Sequence, residues 1–329
     1  MGINKWLRVS LVFLFLLSSC NSIKQSPLNA YLKSSNCNQQ NLSSYSTEQL
    51  PIPLHKQNLD PFFASKLSPK ALNVANSIGI LDLLANYYQK ELAYKRKSST
   101  EAKLDMIDLS QSINQKINIA SLEISAVASE LDCEEERTQQ IATYLSNLES
   151  DKESKLTVGA IVVGATSAIL AGLFINSKHD DVGDYIGLGA GIAEAGLGLA
   201  ILANKKKVDF YHERNALRDI WEGHETSTIF SPAIWYYLNY YNEEEPESKS
   251  LRYQIIDKWM NFGQIAETKN SESRRALINL YFGTGGKYTS EQLKNRADML
   301  DQLESNITLM KQDLKSLAIE FENSKMKAQ

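Results

Sequence analysis

Four histidines are the residues of this 329-residue chain with the widest chemical use, and their neighbours decide what each could do. His212-Glu213 begins like the helix of a zinc protease, but the fifth position of that pattern is Ala216 instead of a second histidine. His212, Glu222 and His224 could meet as metal ligands, although surface or helix-end histidines are the more ordinary interpretation. No serine stands in a nucleophile elbow. The sequence therefore predicts a protein that is not an enzyme.

Two further stretches are candidate ligand sites. The sequence GTGGK at 283–287 is close to a phosphate-binding loop, but that loop needs glycine where Tyr281 stands and serine or threonine where Tyr288 stands. A turn that ends a helix explains the glycines better. The acidic residues of 243–247 lack the ligand spacing of a calcium loop and are expected to be solvated. We therefore predict no metal ion.

The first twenty residues have the three parts of a secretory signal. Two cations, Lys5 and Arg8, precede the apolar run 9–17, and small residues then lead to Cys20. The apolar run is too short to span a bilayer of roughly 30 Å. We expect residues 1–19 to be removed, and the alternative is a signal that is cut elsewhere, with Cys20 incidental.

The motif Leu17-Ser18-Ser19-Cys20 resembles the lipobox of bacterial lipoproteins. The resemblance covers only the leader, and it implies that Cys20 is diacylated and becomes the mature N-terminus. Asn21 follows the cysteine, which in enteric-type bacteria implies sorting to the outer membrane. The expected location is the cell envelope, with the outer membrane favoured over the inner one and the body in the periplasm. The acyl group on Cys20 is the only cofactor that we expect.

Cys37 and Cys133 are the two cysteines that remain after the leader. Outside the cytoplasm they could form a disulfide, although the sequence alone does not give the geometry that such a bond requires. Cys133 stands among acidic residues, and neighbouring negative charge disfavours a reactive thiolate. The pair is therefore a possible structural bond.

The stretch 156–203 has the pattern of two apolar helices joined by a polar turn. Residues 156–175 carry no charge and residues 185–203 carry only Glu194. Twenty helical residues span about 30 Å, which is the hydrocarbon thickness of a bilayer. Small residues recur at every fourth position and would let the two helices approach closely. They are Ala160, Gly164, Ala168, Gly172, Gly183, Gly187, Gly191 and Ala195.

This repeat resembles the glycine-zipper hairpins of bacterial envelope lipoproteins and surface proteins, and the resemblance implies paired membrane helices. Glu194 is costly against lipid, so we expect it to face the partner helix, a pore or another subunit. The connecting turn is acidic, which disfavours insertion into the inner membrane from the periplasm. The alternative is a water-soluble bundle that buries the hairpin in its core.

Composition favours helices throughout the rest of the chain. Hydrophobic residues make up 43% and charged residues 22%, so the chain as a whole is not disordered. Seven prolines and 16 glycines are few for an all-β protein, and a net charge of −4 excludes a strongly basic nucleic-acid binder. We predict an all-α fold: an elongated helical bundle or coiled coil with a central glycine-rich hydrophobic helical hairpin.

Two heptad repeats flank the hairpin and predict long helices. The first repeat comprises Ile113, Ile117, Ala120, Ile124, Val127 and Leu131, and continues through Glu134, Thr138, Ile141, Leu145 and Leu148. The second comprises Leu293, Leu300, Leu303, Ile307, Met310, Leu314, Leu317 and Phe321. The two could pack on each other or on neighbouring copies.

The predicted segments are a signal peptide 1–19, a flexible tether 20–65, a helical or coiled-coil region 66–155, the hairpin 156–203, short helices with an aromatic cluster 204–288 and a C-terminal coiled-coil helix 289–329.

The segment between hairpin and last helix is predicted to be helical as well. Residues 208–222 should form a helix that ends at Gly223, and a second helix should open at Ser231 and Pro232. An aromatic cluster follows, which either fills a gap between helices or forms a partner surface. It comprises Trp235, Tyr236, Tyr237, Tyr240 and Tyr241.

These patterns predict a non-enzymatic envelope lipoprotein, present in many copies as a structural or assembly component. A secretion or transfer apparatus, or surface exclusion and immunity, is the expected context. Its partners would be membrane lipid and, through the coils, other copies or other envelope proteins; neither nucleic acid nor a small-molecule substrate is expected. The alternative is an α-helical pore-forming protein, because long helices around an apolar hairpin resemble the layout of cytolysin A and haemolysin BL. The lipobox disfavours this alternative, since a diffusible toxin needs no permanent anchor.

Overall fold

Helices make up most of this computed structural model, which describes residues 35–38, 45–175, 206–245, 247–265 and 271–326, with the side chains of 152–175, 271 and 326 excepted. The helices are α1 Pro61–Ala64, α2 Pro69–Ser77, α3 Leu81–Arg96, α4 Thr100–Ile175, α5 Ala216–Glu222, α6 Pro232–Asn239, α7 Leu251–Asn261, α8 Ser271–Phe282 and α9 Ser290–Met326. The strands are β1 Val208–Tyr211 and β2 Gly285–Tyr288. The prediction of a mainly helical fold is confirmed.

The long helices α4 and α9 pack along each other and form the centre of the fold. Glu149 accepts a hydrogen bond from Ser290 at the start of α9 (2.8 Å), whereas Lys325 at its end donates to Ser110 (3.0 Å), so the two helices are antiparallel. Both heptad repeats supply buried residues to this core, including all eight apolar positions of α9. The apolar seams are therefore used within one chain.

Helices α2 and α3 cover one end of the α4–α9 pair. Ser68 caps α2 by accepting from the backbone of Ala71, and Glu320 of α9 accepts from both the backbone and the hydroxyl of Ser68. Tyr87 of α3 lies edge-on to Phe321 of α9, with ring centroids 4.9 Å apart. The C-terminal end of α9 is thus held by both helices.

Residues 45–65 pack on the body, so the tether predicted to extend to 65 is too long. The hydroxyl of Tyr45 accepts from the backbone of Ser227 (3.0 Å), and the backbone of Leu54 donates to Tyr236 (3.1 Å). Phe63 of α1 is buried, and 3₁₀ turns occupy Thr47–Gln49 and Leu54–Lys56. Within 45–65, scattered apolar side chains such as Leu50, Leu54 and Leu59 pack against the core and bury apolar surface there.

Residues 208–211 form a strand, which corrects the prediction of one helix over 208–222. Phe210 is buried between more exposed neighbours, a period of two that favours a strand. β1 pairs antiparallel with β2, and Tyr211 stands opposite Gly285. Gly285 has φ +98°, and a Cβ there would lie 2.3 Å from the carbonyl oxygen of Phe210. Gly283 therefore follows the end of α8, as predicted for a turn. Gly285 instead lies in β2, at a position where a side chain would collide with β1.

Candidate functional site

The two ends of the apolar stretch meet at one carboxylate. Glu149 of α4 accepts hydrogen bonds from the backbone of Lys206 (2.8 Å) and from the hydroxyl of Ser290 (2.8 Å). We call these three residues the hairpin base. Glu149 and Lys206 thus lie in contact although residues 150–205 separate them in the chain, and we call this contact between the two flanks the closed excursion.

Helix α4 continues past the hairpin base without a break. It crosses the boundary predicted between 155 and 156 and ends at Ile175, so that 26 further residues add about 39 Å of helix. Residues 150–155 are polar, and the charge-free residues 156–175 account for the last ~30 Å. The first arm of the predicted hairpin thus extends the same helix that carries the first heptad repeat.

Four of the eight predicted packing residues lie on backbone that the structure describes. Ala160, Gly164, Ala168 and Gly172 lie on the helical backbone of α4. The other predicted positions lie outside the described residues: Cys20, Gly183, Gly187, Gly191, Glu194 and Ala195. Among the residues whose side chains are described, no helix has both the length and the hydropathy that a membrane crossing needs.

A buried polar cluster lies next to the hairpin base, where β1, β2, α4 and α9 meet. The guanidinium of Arg296, 1% exposed, donates to the carbonyl oxygen of Tyr281 (2.9 Å) and to Oδ1 of Asn215 (3.2 Å). Nε2 of His212 lies 2.9 Å from the hydroxyl of Tyr288, which in turn donates to the carbonyl of Leu280. The acceptors of Arg296 are neutral, so this buried cation is held by dipoles.

Arg137 links α4 to the same cluster. Its guanidinium lies 4.3 Å from the ring centroid of Phe210, donates to the carbonyl of Tyr211 (3.3 Å) and pairs with Glu134 (3.0 Å). This arrangement combines cation–π attraction with a charge-assisted hydrogen bond. The strand that follows the apolar excursion is therefore fixed to the helix that precedes it.

Burial sets the protonation of the cluster. Burial, together with the nearby guanidinium groups of Arg296, Arg137 and Arg218, lowers the pKa of His212 to about 2. Burial also raises the pKa of Tyr288 to about 12. His212 is neutral and Tyr288 is protonated near neutral pH, which suits a positioning role rather than proton transfer.

Cys37 and Cys133 form a disulfide in the structure. Their Cα atoms are 5.5 Å apart, within the usual range for such a bond, and 96 positions separate them in the chain. Ser35 also donates to the carboxylate of Glu134, the residue after Cys133. The N-terminal segment is thus covalently attached to the middle of α4.

The histidines predicted as weak metal candidates lie in different environments. His212 is in the buried cluster, whereas His224 is exposed and lies 2.8 Å from the carboxylate of Glu222. Within the described parts of the chain, no group of three or more histidine, cysteine or acidic side chains could hold a metal ion.

The aromatic cluster of α6 is divided between core and surface. Trp235 and Tyr236 are buried, and the hydroxyl of Tyr237 donates to Asp313 of α9 (2.7 Å). Tyr240 and Tyr241 instead line an open cavity of about 380 Å³, which we call the aromatic pocket. Its other lining residues are Leu50, Pro51, Pro53, His55, Gly223, His224, Glu225, Trp235, Tyr236, Asn239 and Glu243. Trp235 and Tyr236 therefore fit the packing interpretation, whereas a partner surface at Tyr240 and Tyr241 stays a prediction.

A larger cleft of about 630 Å³ opens between α3, α4 and α9, at the end of the α4–α9 pair that lies away from the hairpin base. Lys95, Lys103 and Lys325 line it together with Glu91 and Glu322. Glu91 is buried and pairs with Lys95 (3.3 Å), and Lys325 pairs with Glu322. The two acids thus neutralise two of the three lysines.

Comparison with protein-family models, with curated proteins and with solved structures finds no match to this chain. The geometry of the site and the sequence patterns therefore carry the functional argument.

Sequence reasoning missed Glu149 and Arg296, although one of them leaves a signal. Arg296 occupies the heptad position between Leu293 and Leu300, where an apolar residue is expected. A charged residue at a seam position indicates a buried polar contact. Glu149 has no comparable signal, because an acidic residue near the end of a polar helical stretch is ordinary.

Proposed function

We propose that this protein is a non-enzymatic envelope lipoprotein, anchored by acyl chains on Cys20 and by insertion of 156–203 as a glycine-zipper hairpin. One acyl signal binds a membrane weakly, and a second signal makes the anchoring stable. The body would act as an assembly component of a multi-copy complex in the envelope. The closed excursion at the hairpin base is the observation that carries this proposal.

The closed excursion supports a hairpin because the first arm of a hairpin begins beside the point where its second arm ends. Glu149 and Lys206 are in contact, and Arg137 of α4 holds the strand that follows Lys206. The continuous helix α4 supplies one arm of about 30 Å over the charge-free residues 156–175. A rigid base would transmit the position of the hairpin to the body.

The disulfide between Cys37 and Cys133 supports a location outside the cytoplasm. Disulfides persist in the periplasm and at cell surfaces and are rare in the cytosol, where thiols are kept reduced. This agrees with the secretory leader predicted for residues 1–19.

Self-association is proposed through an exposed face of α4, because the heptad seams are buried within the chain. Leu104, Ile107, Ile119 and Leu122 are between 45% and 69% exposed. At 3.6 residues per turn they lie on one side of α4, opposite the seam. A row of exposed apolar residues favours contact with a second copy.

The anchoring proposal is tested by separating the two anchors. Cys20→Ala, deletion of 156–203, and the combination are compared by membrane fractionation and alkaline carbonate extraction, with labelled palmitate reporting acylation. We expect Cys20→Ala to lose palmitate and remain in carbonate-washed membranes, and the combination to be soluble. Complete solubility of Cys20→Ala alone would contradict the hairpin anchor and favour a soluble periplasmic adaptor.

Assembly is tested by native mass after crosslinking. Gly187→Leu combined with Gly191→Leu should break assembly if the zipper joins chains, and Leu122→Glu should reduce oligomer size if the exposed face does. Gln139→Glu, which adds the same charge at an exposed position 17 residues further along α4 and beyond that face, serves as the control. An unchanged mass in all variants would exclude both interfaces.

A pore-forming protein is the second candidate, favoured by the antiparallel long helices α4 and α9 that flank the excursion. It makes a different prediction for newly made protein. A pore former should occur as a soluble monomer before it meets a target membrane, whereas the lipoprotein should be membrane-bound from the outset. Fractionation after a short labelling pulse distinguishes the two.

A further inference from the structure

The aromatic pocket has rigid walls. The rings of Tyr236 and Tyr240 are 5.4 Å apart and those of His55 and Tyr240 are 5.9 Å apart. The hydroxyl of Tyr236 accepts from the backbone of Leu54 and from the side chain of Asn76, and it donates to Asn73. The walls are therefore fixed before any ligand arrives, which lowers the entropic cost of binding.

Acidic residues form the rim of the pocket. Glu225 and Glu243 line it, and both are exposed. The remaining glutamates of the acidic stretch follow directly, at Glu244, Glu245 and Glu247. Glu245 is near enough to Tyr240 to raise the pKa of its phenol, which burial already raises. The negative charge of Glu245 is therefore felt at Tyr240 in the pocket wall.

Two cations lie nearby and leave an excess of negative charge. Lys56 lies 3.5 Å from Glu243, a pair in which both side chains are more than half exposed, so solvent screens it strongly. Arg252 lies behind Gly223, donating to the carbonyl of Ile220 and to Asn239. Neither occupies the pocket.

His55 adds an aromatic ring to the wall. Its ring nitrogens are buried without a hydrogen-bond partner among the described residues, so a ligand in the pocket meets the ring and not those nitrogens. The ring centroid lies 5.9 Å from that of Tyr240, and the two rings extend the aromatic surface on which a cation can stack.

We propose that the aromatic pocket binds the guanidinium group of an arginine side chain presented by a partner protein. A guanidinium stacks on aromatic faces and forms forked hydrogen bonds with carboxylates, and the pocket offers both. The apolar part of the wall, Leu50, Pro51 and Pro53, suits the methylene groups of the same side chain. A volume of about 380 Å³ is small for a folded segment and adequate for one long side chain.

One side of the pocket lies far along α9 from the hairpin base. Tyr237, on the helix α6 that supplies Trp235, Tyr236 and Asn239 to the pocket lining, contacts Asp313, which lies 23 residues after Ser290 on α9. That spacing corresponds to about 35 Å along the helix. A partner could therefore reach the pocket from water while the hairpin base lies at a membrane, although the pocket does not depend on membrane insertion.

The proposal is tested by calorimetric titration of the full chain with three capped tripeptides that carry arginine, lysine or citrulline between glycines. Citrulline has the shape of arginine without the charge. We expect arginine to bind with a Kd on the order of 1 mM, at least threefold tighter than lysine, and citrulline not to bind. Tyr241→Leu should weaken arginine binding about three- to fivefold, whereas Tyr241→Phe should keep it because cation–π attraction survives.

Tyr253→Leu is the matched control, because Tyr253 is half exposed and lies outside the pocket. It should leave binding unchanged. Equal binding of citrulline or lysine would overturn guanidinium recognition, as would a wild-type chain that binds none of the peptides. Binding of free guanidinium ion as tightly as the arginine peptide would overturn recognition of a side chain.

Discussion

Arg296 shows how a single residue can define the position of several elements. It stands in the apolar seam of α9, fully buried, and its partners Tyr281 and Asn215 come from α8 and from the turn before α5. Its Nε has no partner among the described residues. Burial of a cation without a paired acid costs free energy, so the residue contributes to specific positioning more than to stability.

His212 gives the protein an acid-sensitive stability. Its pKa falls to about 2 in the folded chain, from 6.5 in an unfolded one, so below pH 6.5 the unfolded chain takes up a proton that the folded chain does not. The free energy of unfolding should decrease as the pH falls from 6.5, by at most about 1.4 kcal/mol per pH unit from this group. Urea unfolding at pH 7, 6 and 5 measures this slope.

His212→Gln isolates that contribution, because glutamine can still bond to Tyr288 but does not titrate. The difference in the free energy of unfolding between wild type and variant should shrink or change sign as the pH falls. Other titrating groups are present in both proteins and cancel in this difference. Parallel curves for the two proteins would contradict a lowered pKa, because they would mean that His212 titrates alike in the folded and unfolded chains.

The contact between α4 and α9 also contains a seam of like charges. Burial and neighbouring carboxylates raise the pKa of Glu135 on α4 and of Asp298 and Glu304 on α9. A raised carboxyl pKa means that the charged form is less favourable in the folded chain, so this cost is present at neutral pH and disappears at acid pH. The two helices pack despite this repulsion.

Asp298→Asn should therefore stabilise the helix pair. Because the group is largely exposed and screened by solvent, we expect Tm to rise by only about 1–2 °C at pH 7. The gain should vanish near pH 3.5, where the native carboxyl is protonated. Thermal melts followed by circular dichroism at the two pH values measure it, with Asp108→Asn on an exposed part of α4 as the control. A loss of Tm at pH 7 would contradict the repulsive seam.

Periodicity explains which elements were predictable. The seam positions from Ile113 to Leu145 and from Leu293 to Phe321 repeat over many turns, and a long repeat outweighs local exceptions. β1 has only four residues, from Val208 to Tyr211, too few to separate a strand from the start of a helix without its distant partner β2. The aromatic pocket could not be foreseen for a similar reason, because His55 and Tyr240 are 185 positions apart.

On the scale of the whole molecule, the disulfide closes a ring of almost a third of the chain. Cys37→Ser should lower the free energy of unfolding by about 2–5 kcal/mol, because the open chain has more conformational freedom when unfolded. Denaturant unfolding of wild type with and without reductant, and of the variant, measures the effect. Reductant should lower the stability of the wild type only. Free thiols titrated in the unreduced wild type would contradict the bond.

In the proposed lipoprotein, the same bond would limit the distance between the body and a lipid surface. Seventeen residues lead from Cys20 to Cys37, and fully stretched they reach about 60 Å. Along α4, Cys133 is only about 35 Å from the first residue of the apolar stretch, so a lipid on Cys20 and the hairpin can share one bilayer face. If the bond were reduced, this segment would lose its covalent attachment and keep the hydrogen bonds of Ser35 and Tyr45. The redox state of one cystine would then decide whether the proposed lipid anchor is joined to α4 by a covalent bond.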